Sequence, residues 1–88
     1  MLGRVIIRQL RAGVIEVATE PRIKGLGKKF FRPLAKKPFD RALGYAAKTA
    51  AIWRLQLVDE TGKVPAEMCA ALVEELRAGE ARGDGAGR

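Results

Sequence analysis

The chain has 88 residues, with 17 lysines and arginines against 10 acids, no histidine and one cysteine, Cys69. That length allows one small domain with a modest core, and the residue inventory excludes an internal disulfide and a zinc site built on Cys69. A 48% apolar content argues against a plainly disordered chain, and a net charge of +7 asks for a negatively charged partner.

The charge is unevenly placed. Residues 1–41 hold eleven cations and three acids, whereas residues 42–88 hold six cations and seven acids. The first half is therefore an anion-binding half, and the second is nearly neutral. No stretch has the roughly 20 apolar residues needed to span a bilayer.

In chain order, residues 2–18 carry apolar side chains at Leu2, Val5, Ile6, Leu10, Val14, Val17 and Ala18, with Arg4, Arg8 and Arg11 between them. The spacing predicts an amphipathic basic helix over residues 1–21. A β-hairpin competes, because Val5-Ile6-Ile7 and Val14-Ile15-Glu16-Val17 are β-branched runs around Arg11-Ala12-Gly13. The start is similar to an organelle-targeting helix but lacks the usual serines, which favours a retained helix.

Residues 22–39 read as an extended basic and aromatic segment, punctuated by Gly25, Gly27, Pro33 and Pro38. Seven cations fall here without an acid: Arg22, Lys24, Lys28, Lys29, Arg32, Lys36 and Lys37. Such a run cannot bury itself unpaired. Phe30, Phe31 and Phe39 are threaded through it, which points to packing on a protein, stacking on bases, or insertion at a lipid headgroup layer. The bland alternative is a solubilising surface. Gly25-Leu26-Gly27-Lys28-Lys29 lacks the spacing and the following Ser or Thr of a nucleotide-binding loop.

Residues 40–79 read as helical. Asp40 offers an N-cap for a helix reaching about Val58, with Ala42, Ala46 and Ala50 repeating every four residues beside Trp53. That face, with Phe30 and Phe31, is the expected protein-packing surface. Leu55-Gln56-Leu57-Val58 is a competing short strand, and Asp59-Glu60-Thr61-Gly62 is a turn. Pro65 opens a last helix to Ala78, with Met68, Cys69, Leu72, Val73 and Leu76 as its stripe and Gly79 as its stop. Residues 80–88 read as a mobile glycine-rich tail.

Catalysis finds little material. The chain has neither serine nor histidine, so no triad or near-neutral general base is available. Asp59, Glu60, Glu67, Glu74 and Glu75 fit a solvated turn and helix face, and Cys69 on an apolar stripe fits a structural thiol. A non-enzymatic protein without cofactor or metal is expected.

Several stretches together resemble the mitochondrion-specific small-subunit ribosomal protein family numbered thirty-three. They are Arg11-Ala12-Gly13-Val14-Ile15-Glu16-Val17 followed by Pro21, the segment 27–38 with Tyr45, and Leu55-Gln56-Leu57-Val58-Asp59-Glu60. The tail 81–88 is an echo of that family's basic tail, with Asp84 where a lysine is expected. The resemblance implies a small helical protein on ribosomal RNA in the mitochondrial matrix, with the seven cations of residues 22–37 meeting phosphates.

The expected fold is thus mainly α, about three helices joined by an extended basic segment, its small core completed by partners. The expected role is a structural constituent of a mitochondrial small ribosomal subunit, contacting ribosomal RNA and ribosomal proteins. The alternative is a peripheral subunit of a membrane complex, binding anionic lipid and partner subunits through the first helix and the lysine–phenylalanine run.

Overall fold

A computed structural model of the chain describes residues 3–33 and 37–86. In chain order it has strands β1 (Arg4–Arg11), β2 (Val14–Glu20) and β3 (Lys29–Phe31), helix α1 (Pro38–Trp53), strand β4 (Gln56–Asp59) and helix α2 (Ala66–Ala86). The strands form one sheet in the order β3-β2-β1-β4. The β1–β2 and β2–β3 pairs are antiparallel, and β4 runs parallel to β1. This is a small α/β domain, not the mainly α, three-helix chain that the helical spacing predicts.

The physical reason for the difference lies in β1. Arg4 and Arg8 are four residues apart, a spacing that serves a helix face and a strand face equally. The discriminating fact is long-range pairing: β1 is bonded along both edges, to β2 and to β4, with Val5, Ile6 and Ile7 all buried. Alternation then sends Val5 and Ile7 to the helix-covered face and Ile6 to the other. The β-branched composition of both arms favours the same outcome. Arg11 pairs with Val14 across the turn at Ala12-Gly13, with a one-residue register shift between Gln9 and Arg11. Gly13 has φ +76, and a Cβ there would lie 3.0 Å from the Pro33 ring. The turn therefore requires glycine for both conformation and space.

The predicted helix through Val58 ends earlier. Arg54 takes the left-handed conformation, φ 58 and ψ 48, and Leu55 leads into β4. Trp53 is the last helical residue, so the competing short strand at residues 55–58 is the better description. Helix α1 begins at Pro38 with Lys37 in the cap position. Asp40 stands in the first turn, where it complements the helix dipole, instead of capping. Helix α2 continues through the predicted stop at Gly79 to Ala86; residues 87 and 88 of the expected tail lie outside the described residues.

One core unites the elements. Val5 and Ile7, Ile15 and Val17, Phe31 and Leu57 face Ala42, Ala46, Ala47, Ala50 and Ala51 of α1, and Cys69 and Val73 of α2. Both helices thus cover the same sheet face. Ala42, Ala46 and Ala50 are each 0% exposed. The alanine face expected to receive another protein is filled by the chain's own sheet, so every element contributes to an internal core instead of leaving it for partners to complete. Of the last helix's apolar stripe, Cys69 and Val73 are buried, while Met68 and Leu76 are exposed.

Two sets of side-chain hydrogen bonds lock the β4–α2 side. The Asp59 carboxylate accepts from the Thr61 amide (2.9 Å) and hydroxyl (2.6 Å), the Lys63 amide (3.0 Å) and the Val64 amide (2.8 Å). The turn is thereby satisfied without regular structure. Arg77 of α2 donates to the Ala50 carbonyl at 3.4 Å, placing a cation at the C-terminal end of α1.

The tight alanine packing is testable in the isolated protein. Ala46→Leu should lower stability by about 1–3 kcal/mol through overpacking, while Gly44→Ala, where an added Cβ meets nothing within 4 Å, should raise it by about 0.5–1 kcal/mol. Thermal unfolding followed by circular dichroism measures both. An unmoved melting temperature for Ala46→Leu would mean that this face is not packed in the free chain.

A candidate nucleic-acid interface

The cationic run divides into three stretches. Residues 21–28 form the connection between β2 and β3, residues 29–31 are β3 itself, and Arg32 begins the path to α1. Lys36 and Leu34 lie outside the described residues.

The connection is a wide loop with a pinched tip. Ile23 and Leu26 form an isolated antiparallel bridge, and the Leu26 amide donates to the Ile23 carbonyl at 2.9 Å. Between them Gly25 has φ +91, the third-position geometry of a type II turn. Lys24 is consequently held at the tip, exposed. Ile23 packs against the core and anchors the loop. Apolar residues at 23 and 26 therefore fix the loop, and the cations Arg22, Lys24 and Lys28 project from it.

Strand β3 is the sheet's edge. Its short length and its lysine are usual protections against edge-to-edge pairing. One lysine serves that purpose in a three-residue strand, so the remaining cations of the run need another explanation. Side chains alternate along β3. Phe31 faces the core, 5.8 Å from Tyr45 between ring centroids, with the Arg41 guanidinium 5.5 Å from its centroid. Lys29 lies on that same side, its ammonium 5.6 Å from the Tyr45 ring centroid. Phe30 points the other way, opposite Glu16 of β2, on the face without helices.

Of the seven cations predicted to meet phosphates, only Lys28 forms an ion pair among the described residues, with Glu16 at 3.3 Å. Arg22, Lys24, Lys29, Arg32 and Lys37 are exposed and make no ion pair with a carboxylate among those residues. The fold thus brings the loop, the edge strand and the start of α1 to one edge of the sheet and leaves that edge cationic.

The predicted protein-packing residues scatter. Phe31, Ala42, Ala46 and Ala50 are internal, whereas Phe30 and Trp53 are exposed on different elements. The sequence reading overlooks Glu16, a carboxylate only 4% exposed. Its signal is an acid inside an apolar strand, Val14-Ile15-Glu16-Val17, where alternation puts it on the opposite face from Ile15 and Val17. Arg4 and Arg8 share that helix-free face, and each is neutralised, by Glu20 and by Glu60. The Glu60 hydrogen bond, with its charge, raises the Arg8 pKa above its usual value.

The carboxylates of the second half form no functional constellation. Asp59 is occupied by its own turn, and Glu67, Glu74 and Glu75 are exposed on α2. Cys69 is buried, its sulfur 3.8 Å from the Val64 carbonyl. Burial pushes its pKa up, and the Asp59 charge adds to the effect. Comparison of the chain with protein-family models, with curated proteins and with solved structures finds no match in any of the three.

The thiol gives a check on the packing of α2. A thiol reagent at mildly alkaline pH should modify Cys69 of the folded protein roughly two to three orders of magnitude more slowly than the urea-unfolded chain, because only the opened state reacts. The folded thiol keeps its proton above the ordinary value of 9.0, where the unfolded thiol has lost it, so stability should fall as pH rises through that range. Equal modification rates would show that α2 does not cover this position.

Proposed function

We propose that this protein is a non-enzymatic RNA-binding subunit of a ribonucleoprotein particle, and that the edge formed by the β2–β3 loop and β3 is its RNA contact. The observation carrying this reading is the cation-rich edge: five exposed cations without a carboxylate partner among the described residues, Arg22 and Lys24 on the β2–β3 loop, Lys29 in β3, and Arg32 and Lys37 between β3 and α1. Charge neutralisation of phosphates suits such an edge, and recognition would rest on shape and backbone contacts.

The particle we favour is the mitochondrial small ribosomal subunit, the assembly named by the resemblance to the family numbered thirty-three. That resemblance carries less weight than the charge geometry, since its Arg11-to-Val17 stretch lies in a hairpin and not at the end of a helix. The membrane-surface alternative loses its first support for the same reason: the amphipathic basic helix it relied on is the β1–β2 pair. Among the described residues no helix is long and apolar enough to cross a membrane.

Binding of structured RNA, measured by fluorescence anisotropy across a salt series, tests the reading. The logarithm of affinity should fall steeply with the logarithm of salt concentration. Replacing Arg22, Lys24, Lys29 and Arg32 together by Gln should flatten the slope by roughly 0.7–0.9 for each phosphate no longer neutralised, with circular dichroism unchanged. A slope near zero in the parent, or one untouched by the four substitutions, would overturn the assignment. Co-sedimentation of the native protein with a ribosomal particle tests the narrower placement; its absence from such particles would refute that part.

A further inference from the structure

The helix-free face of the sheet carries an exposed aromatic ring beside the cationic edge. Phe30 is 44% exposed, while its neighbour Phe31 is buried in the core. Strand alternation fixes the two in opposite directions, so the outward phenylalanine contributes nothing to the core. Directly across the ladder from it is Glu16, which is almost wholly buried and holds the Lys28 ammonium at 3.3 Å. The Lys28 ammonium is thereby tied to the ladder position facing Phe30, at the sheet margin.

The arrangement is informative because its parts answer different components of one ligand. An ammonium held in place by a buried carboxylate keeps N–H donors free for a charge-assisted hydrogen bond to a phosphate. An exposed ring on a strand is a rigid surface with two side-chain torsions, suited to stacking on a planar apolar face. Duplex RNA presents phosphates but keeps its base faces stacked inside, so it can use the cations and not the ring. Single-stranded RNA offers both at once. An anionic lipid surface would require the ring to insert together with other apolar groups, yet the neighbouring positions on this face across β2 and β1 are Glu16 and Arg8.

We infer that Phe30 is a base-stacking platform, and that the helix-free face at β3 binds single-stranded RNA, with Lys28 positioned by Glu16 to meet an adjacent phosphate. This deepens the RNA-binding reading above and rests on it. Loop cations at Arg22 and Lys24 extend the phosphate track beyond the strand.

The experiment compares a short labelled oligouridylate with an RNA duplex of the same length, using the full chain and its Phe30→Ala, Phe30→Leu and Phe30→Tyr variants. The oligouridylate should bind the parent more tightly than the duplex does. Phe30→Ala should weaken oligouridylate binding about tenfold, within the roughly 5- to 150-fold span of one stacked base. Duplex affinity and the salt slope should stay unchanged. Phe30→Leu keeps apolar bulk beside Glu16 and should show the same loss, so the result survives if the alanine variant folds poorly. Phe30→Tyr should retain affinity. Unchanged oligouridylate affinity in Phe30→Leu, with a steep salt slope, would overturn the platform and leave RNA binding in place. Equal binding of duplex and single strand would do the same. No binding to either RNA, or binding only to anionic vesicles, would overturn both readings.

Discussion

Val5 and Ile7 of β1 are sealed against the helices, and Ile6 between them is sealed on the opposite face, so the strand is buried on both sides over three residues. It is also paired along both edges, antiparallel to β2 from Arg4 to Arg11 and parallel to β4 from Arg4 to Ile7. Full burial of each such side chain is worth about 1.5–3 kcal/mol, which concentrates stabilisation in a short segment. The parallel pairing of β4 requires a crossover, and α1 supplies it. Alanines at 42, 46 and 50 let that helix lie close enough to seal the sheet without large side chains. The position of every other element follows from this central strand, including the distance of the basic loop from it.

Sheet order then separates the charges. β3 and β4 are the two edges, with two strands between them. Arg22, Lys24, Lys28, Lys29, Arg32 and Lys37 belong to the β3 side, with Asp40 as the acid at the start of α1, while Asp59, Glu60, Glu67, Glu74 and Glu75 outnumber Lys63 and Arg77 on β4, its turn and α2 up to Gly79. In the middle, Arg4 and Arg8 are balanced by Glu20 and Glu60. The charge asymmetry visible along the chain therefore becomes an asymmetry in space. With the polyanionic partner proposed above, such a field would bring the β3 edge in first and speed encounter at low salt.

The basic run, its interruption by glycines, the turn at Asp59 and the start of the last helix are legible from composition and spacing, whereas that helix runs past the glycine expected to stop it, to Ala86. The first twenty residues are not. Arg4 and Arg8 fit period two as well as period 3.6, and only the long-range pairing of β1 with β2 and β4 decides between them. The alanine face is legible as a close-packing surface, but nothing local says that its occupant is the chain's own sheet. Phe30 and Phe31 cannot be separated by composition. Their roles diverge because register pairs Ile15 with Phe31 and Glu16 with Phe30. Register is a property of the assembled sheet.

Glu16 explains why the basic edge can exist and still remain unsatisfied. A carboxylate 4% exposed needs a compensating charge, and Lys28 supplies it at 3.3 Å. That pairing ties the loop's end to the sheet and fixes the start of β3. It holds one cation in place. Arg22, Lys24, Lys29, Arg32 and Lys37 stay without carboxylate partners among the described residues, and the backbone at the first three is constrained by the Ile23–Leu26 bridge and the β2–β3 ladder. Like charges held near one another repel, and a constrained loop cannot relax that repulsion by spreading. A polyanion bound at this edge as proposed would offset that repulsion, and its preference for the folded arrangement over the opened one would set how far binding protects the β2–β3 region from opening.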